Sequence, residues 1–190
     1  MVEALTTRQR RVPILLGLLV ISTAVFAHRL DEYLQATLVS IEPTGVRFQI
    51  NLTPGIDVSG KVLIQIDRDN DGKISNEESA AYAELLKRDL TARLDGKELK
   101  LKLTASTFPN PAELRNGLGI IQIEFSGIFS SLAAGAHKLA FDNRHLPALS
   151  VYLINAAQPK SRAIRIISQK RTDNQSAGEI EFTFHPPGWP

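Results

Sequence analysis

Residues 45–52 read GVRFQINL, and their alternation decides the fold class. Val46, Phe48, Ile50 and Leu52 fall on one side of an extended chain, and Arg47, Gln49 and Asn51 on the other. Side chains in a strand point alternately to opposite faces, so this stretch reads as a strand with one face on a core and one in water. ELKLKLT (98–104), IIQIEF (120–125) and EIEFTFH (179–185) repeat the pattern. Further strands are expected over 33–41, 91–95, 137–142, 150–155 and 162–169, with Asp95-Gly96 as a tight hairpin turn. About nine short strands with turn signals between them predict a mainly β chain, a β-sandwich. An immunoglobulin-like arrangement is one candidate, and the antibody Cys–Trp–Cys marks are absent.

The chain has 190 residues, 43% of them hydrophobic and 22% charged, enough for one domain with its own core. Residues 1–27 read as a secretory signal peptide. Arg8, Arg10 and Arg11 are followed by the apolar run PILLGLLVISTAVFA, and Val25 and Ala27 precede the cleavage point. From Ile14 to Phe26 the run is 13 residues, short of the ~20 that a spanning helix needs. The expected product is residues 28–190, periplasmic or secreted. The leader holds three Arg and one Glu, which accounts for the whole formal net charge of +2. The remainder is neutral, which argues against nucleic acid as a partner. There is no cysteine, so disulfides, thiolate nucleophiles and Cys zinc sites are excluded.

One stretch departs from the strand pattern. In SNEESAAYAELLKRDLTARL (75–94), Tyr82, Leu85, Leu86, Leu90 and Leu94 share one helical side, and Ser75 with Glu78 has capping-box spacing. SGKVLIQI (59–66) reads as a short entering helix, although its β-branched content also permits a strand. Between them lies DRDNDGKISNEE (67–78). Calcium takes six to eight oxygens. Asp67, Asp69 and Asp71 alternate so that their carboxylates can converge, and Gly72 permits a sharp turn. Lys73 offers its backbone carbonyl, Ser75 a ligand acting through water, and Glu78 two carboxylate oxygens. The alternative is a solvated acidic turn.

This loop resembles an EF-hand, matching D-x-[DN]-x-[DN]-G-x₅-E throughout. The resemblance implies a calcium (Ca²⁺) site of Asp67, Asp69, Asp71, Lys73, Ser75 and Glu78, in an insertion over about 59–94. No second such loop occurs, so a lone hand braced by the β-domain is expected, with an affinity of ~10⁻⁵–10⁻³ M. HRLDEYLQATLVSIEPTGVRFQINLTPGID (28–57) and DNRHLPALSVYLINA (142–156) resemble the exported β-domain of bacterial proteins related to the hydrogenase/urease accessory membrane-protein group. That implies a bacterial envelope location and an envelope or membrane protein as partner.

The expectation is a non-enzymatic calcium-binding domain, in which calcium stabilises the fold or an interaction surface. The alternative is a metal-handling accessory protein. Cleavage after Ala27 would leave His28 with a free amine beside its imidazole, and His28 with His145 could take copper or nickel. Asn143, Arg144 and His145 cluster in a loop, whose bland reading is a set of polar groups satisfying backbone. No nucleophile elbow and no Gly-rich phosphate loop occur, while NLT (51–53) and NQS (174–176) match the glycosylation pattern.

Overall fold

A computed structural model describes residues 31–129, 132–186 and 188. The chain is mainly β, as the alternation predicts, with two five-stranded sheets among the described residues. In chain order the elements are β1 (Tyr33–Glu42), β2 (Gly45–Pro54), α1 (Ile56–Ile66), α2 (Asn76–Arg88), β3 (Leu90–Leu94), β4 (Lys97–Glu98) and β5 (Leu101–Thr107). They continue with α3 (Pro111–Arg115), β6 (Ile121–Ile128), β7 (Gly135–Asn143), β8 (Ser150–Ala156), β9 (Ile164–Arg171) and β10 (Ala177–Phe184). One sheet runs β5-β6-β2-β1-β8 and the other β4-β3-β7-β10-β9. Pairing is antiparallel except where β8 lies parallel to β1.

The inward residues of both sheets meet in one core. Val46, Phe48, Ile50 and Leu52 of β2 are all buried there, with Ile123 and Phe125 of β6 and Ile180 and Phe182 of β10. Phe48 stacks on Phe141 of the other sheet, with ring centroids 4.7 Å apart. The ELKLKLT run does not form one strand. Lys97–Glu98 pairs with β3, and after Leu99 the chain crosses to the other sheet to become β5. The Leu99 N–H still bonds the Ala92 carbonyl at 2.8 Å, and its side chain is buried at the crossing.

β1 carries two polar residues on its inward face, beside the buried Tyr33, Val39 and Ile41. Gln35 and Thr37 face inward, 0% and 4% exposed, while Leu38 on the opposite face is 41% exposed. The alternation is intact, with Ser40 and Glu42 on the outer face. Buried polar side chains must be hydrogen-bonded, and Gln35 is, as described below.

Asp95 (φ 50) and Gly96 (φ 81) both adopt the left-handed region, as a two-residue hairpin of this hand requires. Gly96→Ala therefore meets backbone strain with no clash to relieve it. It should lower stability by about 1 kcal/mol, read as a lower urea midpoint at unchanged m-value.

Candidate metal centre

The chain enters α1 one residue after β2 and leaves α2 one residue before β3, so this helix pair links a strand of one sheet to a strand of the other. The apolar positions of SGKVLIQI resolve as helix. Val58, Val62, Leu63 and Ile66 recur at helical spacing and are buried. Ile66 anchors the last turn in the core, so the next residue, Asp67, starts the loop at a fixed place and is itself only 4% exposed. At the far end Ser75 caps α2. Its Oγ accepts from the Glu78 N–H at 3.2 Å, and Glu78 Oε2 accepts from the Ser75 N–H at 2.9 Å. The capping box foreseen from sequence is present.

Between these anchors the acidic side chains organise the turn. Asp67 accepts from the Asp71 N–H through Oδ1 and from the Gly72 N–H through Oδ2, each at 3.1 Å. Asp69 accepts from Asp71 N–H at 3.1 Å, and Asp71 from Lys73 N–H at 2.8 Å. Asn70 (φ 58) and Gly72 (φ 81) take the left-handed conformations that fold the loop inward. One oxygen from each of Asp67, Asp69 and Asp71 then lies within 4.8 Å of the others. Together these three residues could hold a metal ion.

The remaining sequence candidates stand differently. Glu78 is outside that trio. Its Oε1 accepts from the Arg68 N–H at 2.7 Å, so the carboxylate reaches back over the start of the loop. Hydrogen bonds from the Ser75 backbone, the Ser75 hydroxyl and the Arg68 backbone hold its pKa below the ordinary value, so it carries charge. Ser75 Oγ also donates to Glu78 Oε2 at 2.9 Å. Lys73 is exposed, and Ile74 packs against the core margin.

The donor set tests well for a hard cation. It is all oxygen, and a buried carboxylate without a counter-charge is costly. Asp67 has only backbone N–H partners, and no Lys, Arg or His pairs with Asp67, Asp69 or Asp71 among the described residues.

A second polar cluster, invisible to motif reading, sits beside α2. His145 is 0% exposed. Its Nδ1 bonds Asp89 Oδ2 at 2.7 Å, and its Nε2 bonds Tyr82 Oη at 3.0 Å. Tyr82 in turn bonds Tyr33 Oη at 2.7 Å. A carboxylate only accepts, so Nδ1 carries the ring proton and Nε2 accepts from Tyr82. Burial lowers the pKa of the ring, outweighing the raising effect of Asp89, so His145 is neutral. Around it Gln35 donates to the His145 carbonyl at 2.8 Å, Asn143 donates to Gln35 Oε1 at 2.9 Å, and Tyr152 donates to the same carbonyl at 2.9 Å. The polar positions of β1 were the available signal: an inward Gln35 demands partners.

This geometry does not favour His145 as a copper or nickel ligand, since both of its nitrogens are engaged and buried. His28 and the leader lie outside the described residues. Asn143 matches the bland reading, accepting the His145 N–H at 2.9 Å. Of the glycosylation matches, Asn51 lies within β2 with its Oδ1 buried, and Asn174 lies in the exposed β9–β10 turn.

His137 behaves oppositely to His145. Its Nδ1 bonds Asp95 Oδ2 and its Nε2 bonds the Ala133 carbonyl, both at 2.7 Å. Both partners only accept, so the ring needs two protons. Partial burial lowers the pKa, yet the Asp95 and Ala133 hydrogen bonds and the Asp95 charge outweigh it and hold it above the ordinary value. A raised folded pKa gives stability that is present below the unfolded value and lost as pH rises through the folded one. His137→Gln should thus cost more at about pH 5.5 than at about pH 8.5, measured by chemical denaturation, with an ordinary His pKa near 6.5 between them.

A scan against protein-family models and a search of curated proteins return no match for this chain.

Proposed function

We propose that this chain is an exported, non-enzymatic β-domain that binds one calcium ion in an EF-hand-like loop, with the ion acting as a structural clip. The observation that carries the reading is the convergence of Asp67, Asp69 and Asp71 on one point, with a buried Asp67 that has no cationic partner among the described residues. Lys73 would add its carbonyl, Ser75 a water-mediated contact and Glu78 its carboxylate. An all-oxygen set with a long Glu ligand suits calcium better than zinc or copper, and magnesium less well because of its strict octahedral demand.

The clip reading rests on position. The loop joins α1, which follows a strand of one sheet, to α2, which precedes a strand of the other. Ile74, the apolar loop position through which hands pair, packs instead on the margin of this domain's own core. That supports a hand braced by its β-domain. The β-domain itself reads as a sandwich of immunoglobulin type. The orders β1-β2-β6-β5 and β4-β3-β7-β10 correspond to A-B-E-D and C′-C-F-G, with β8 and β9 as additions.

Export to the periplasm or the exterior rests on the leader pattern in residues 1–27. No helix among the described residues is long and apolar enough to cross a membrane. The test is calorimetric titration of calcium into the wild type, Asp67→Ala and Glu78→Gln. Binding in the wild type that both variants weaken supports the site. Absence of heat at millimolar calcium, together with an unchanged melting temperature, sinks it.

A further inference from the structure

We propose that the outer face of the β5-β6-β2-β1-β8 sheet is a dimer interface, on which a second copy of this chain packs by the same face. The inference does not depend on the calcium reading. It starts from β8, which is apolar on both sides. Tyr152 and Ile154 are buried in the core, and Val151 and Leu153 point the other way. β8 lies parallel to β1, and strands in parallel pairing are commonly covered on both faces.

The register assembles the uncovered side. Leu34 stands beside Val151 and Ala36 beside Leu153, with Leu38 next along the outer face of β1. Leu38 is 41% exposed and Leu153 39%. At one end the connection before β6 adds a ledge, and Leu34, Ala36, Leu118 and Ile120 line one groove. The Leu118 and Gly119 N–H groups both bond the Glu113 carbonyl at 3.0 Å, so the ledge is fixed. Ile56, at the start of α1, lies against the same ledge at Gly117. Eight large apolar side chains are exposed among the described residues, and of these only Ile64 on α1 and Ile167 on β9 lie away from this sheet and its margin.

Size and charge select the occupant. Five strands about 4.8 Å apart, of seven to ten residues at about 3.3 Å each, make a face on the order of 700 Å². The ledge brings it close to the ~800 Å² per partner of a standard interface. Beside β1, the outward residues of β2 are Thr53, Asn51 and Gln49, all neutral. Charge is confined to the rim and balanced in sign. Glu42 pairs with Arg47 at 2.8 Å, Glu32 lies at the end of the groove, and Glu124 and Lys102 stand on β6 and β5. Arg171 reaches Asn155 at the β8 side. An apolar centre inside a mixed polar rim is the anatomy of a protein interface. A face of one sign would repel its own copy, and this one does not.

The copies do not join by extending the sheet. On the outer edge of β8 the Gln169 amide donates to the Ile154 carbonyl at 3.0 Å and accepts from the Ala156 N–H at 3.1 Å. That leaves face-to-face packing about a two-fold axis, with the sheets at the ~10 Å spacing of a sandwich.

The test is sedimentation velocity of the full chain. Wild type should run as a dimer at about 10 µM, since interfaces of this size reach micromolar affinity or better. The paired variant L38Q/L153Q and, separately, L118E should each raise the dimer Kd by at least about 100-fold, because two-fold symmetry counts every lost contact twice. Leu118 lies outside both sheets and is 78% exposed, so L118E probes the face without altering a strand. Unchanged far-ultraviolet circular dichroism will show that the variants are folded. I64E and I167E change isoleucines more exposed than Leu38 or Leu153 but off the face, and should leave Kd within about twofold. The leader is common to all these chains, so association through it would persist in every variant. A monomeric wild type overturns the proposal. So does association that L38Q/L153Q and L118E leave unchanged, or that I64E and I167E weaken as much, or an open-ended oligomer in place of a dimer. A monomer that floats with neutral lipid vesicles, and loses that in L38Q/L153Q, would assign the face to a bilayer instead.

Discussion

Calcium at roughly 10 mM is expected to raise the melting temperature of this chain by about 5–10 °C, and Asp67→Ala to abolish the rise. A ligand that binds only the folded state stabilises it by RT ln(1 + [L]/Kd), which is about 2.7 kcal/mol at a hundredfold excess over Kd. With Kd near ~10⁻⁴ M, roughly 10 mM calcium reaches that excess. For a domain of about 150–250 residues, each kcal/mol moves the midpoint by about 2–4 °C. Asp67 is the decisive position because it is the buried member of the trio and its two oxygens also hold the Asp71 and Gly72 N–H groups. Its truncation removes a ligand and loosens the turn together, so calcium-free Asp67→Ala should also melt below the calcium-free wild type. Glu78→Gln separates these effects. It weakens a charged ligand and leaves one amide oxygen where Oε1 accepted from the Arg68 N–H and Oε2 from the Ser75 N–H, so the calcium response should shrink while the calcium-free midpoint falls less than in Asp67→Ala. Magnesium at equal concentration should give a smaller shift. Thermal unfolding by circular dichroism, with and without a chelator, reads all of this. An equal rise in wild type and Asp67→Ala would mean that calcium acts elsewhere or non-specifically.

The loop was legible because its geometry is local. Five specified positions within twelve residues bring three carboxylates together, and Ser75 with Glu78 fixes the start of the next helix from three residues away. Strands were legible by the same economy, since GVRFQINL needs only a core on one side. What resisted was any feature set by distant partners. In β1 the period of two is plain, yet nothing local explains a polar residue on the inward face, where Gln35 meets groups more than 100 residues on. ELKLKLT reads as one strand, yet it changes sheets at Leu99, a decision made by the register of β3 and β6. SGKVLIQI carries β-branched residues that fit either state, and burial of Val58, Val62 and Ile66 along one side of α1 settled it. His145 read as one member of a polar loop cluster with Asn143 and Arg144. Only the fold shows that Tyr82, 63 positions earlier, and Asp89, 56 positions earlier, occupy both of its nitrogens.

Replacing His145 by leucine should destabilise the chain by about 2–4 kcal/mol and remove part of its sensitivity to acid. The cost comes from the partners left behind. Tyr82 keeps Tyr33, but Asp89 loses its hydrogen bond, and an unsatisfied buried polar group costs about 1–3 kcal/mol, more when charged. The Asp89 side chain is 35% exposed, so water recovers part of that loss. The acid response follows from the sign of the shift. The folded pKa of His145 lies below the unfolded value, so above the unfolded value near ~6.5 the neutral ring's contribution is complete. As pH falls toward the folded pKa, the unfolded chain takes up the proton first, and the contribution is lost. Wild-type stability should therefore decline below about pH 6.5 more steeply than that of His145→Leu, because the ordinary His pKa sits there. The same variant probes the clip. α2 carries Glu78 at its start, while Tyr82 and the Asp89 cap tie its body and end to His145, so freeing one end should disturb the other. Residues in one network commonly couple by about 0.5–3 kcal/mol. In calcium, the double variant Asp67→Ala/His145→Leu should thus cost less than the sum of the two single changes, by at least about 0.5 kcal/mol. Strict additivity by urea unfolding would show that the calcium loop and the buried histidine stabilise the domain independently, with α2 transmitting nothing between them.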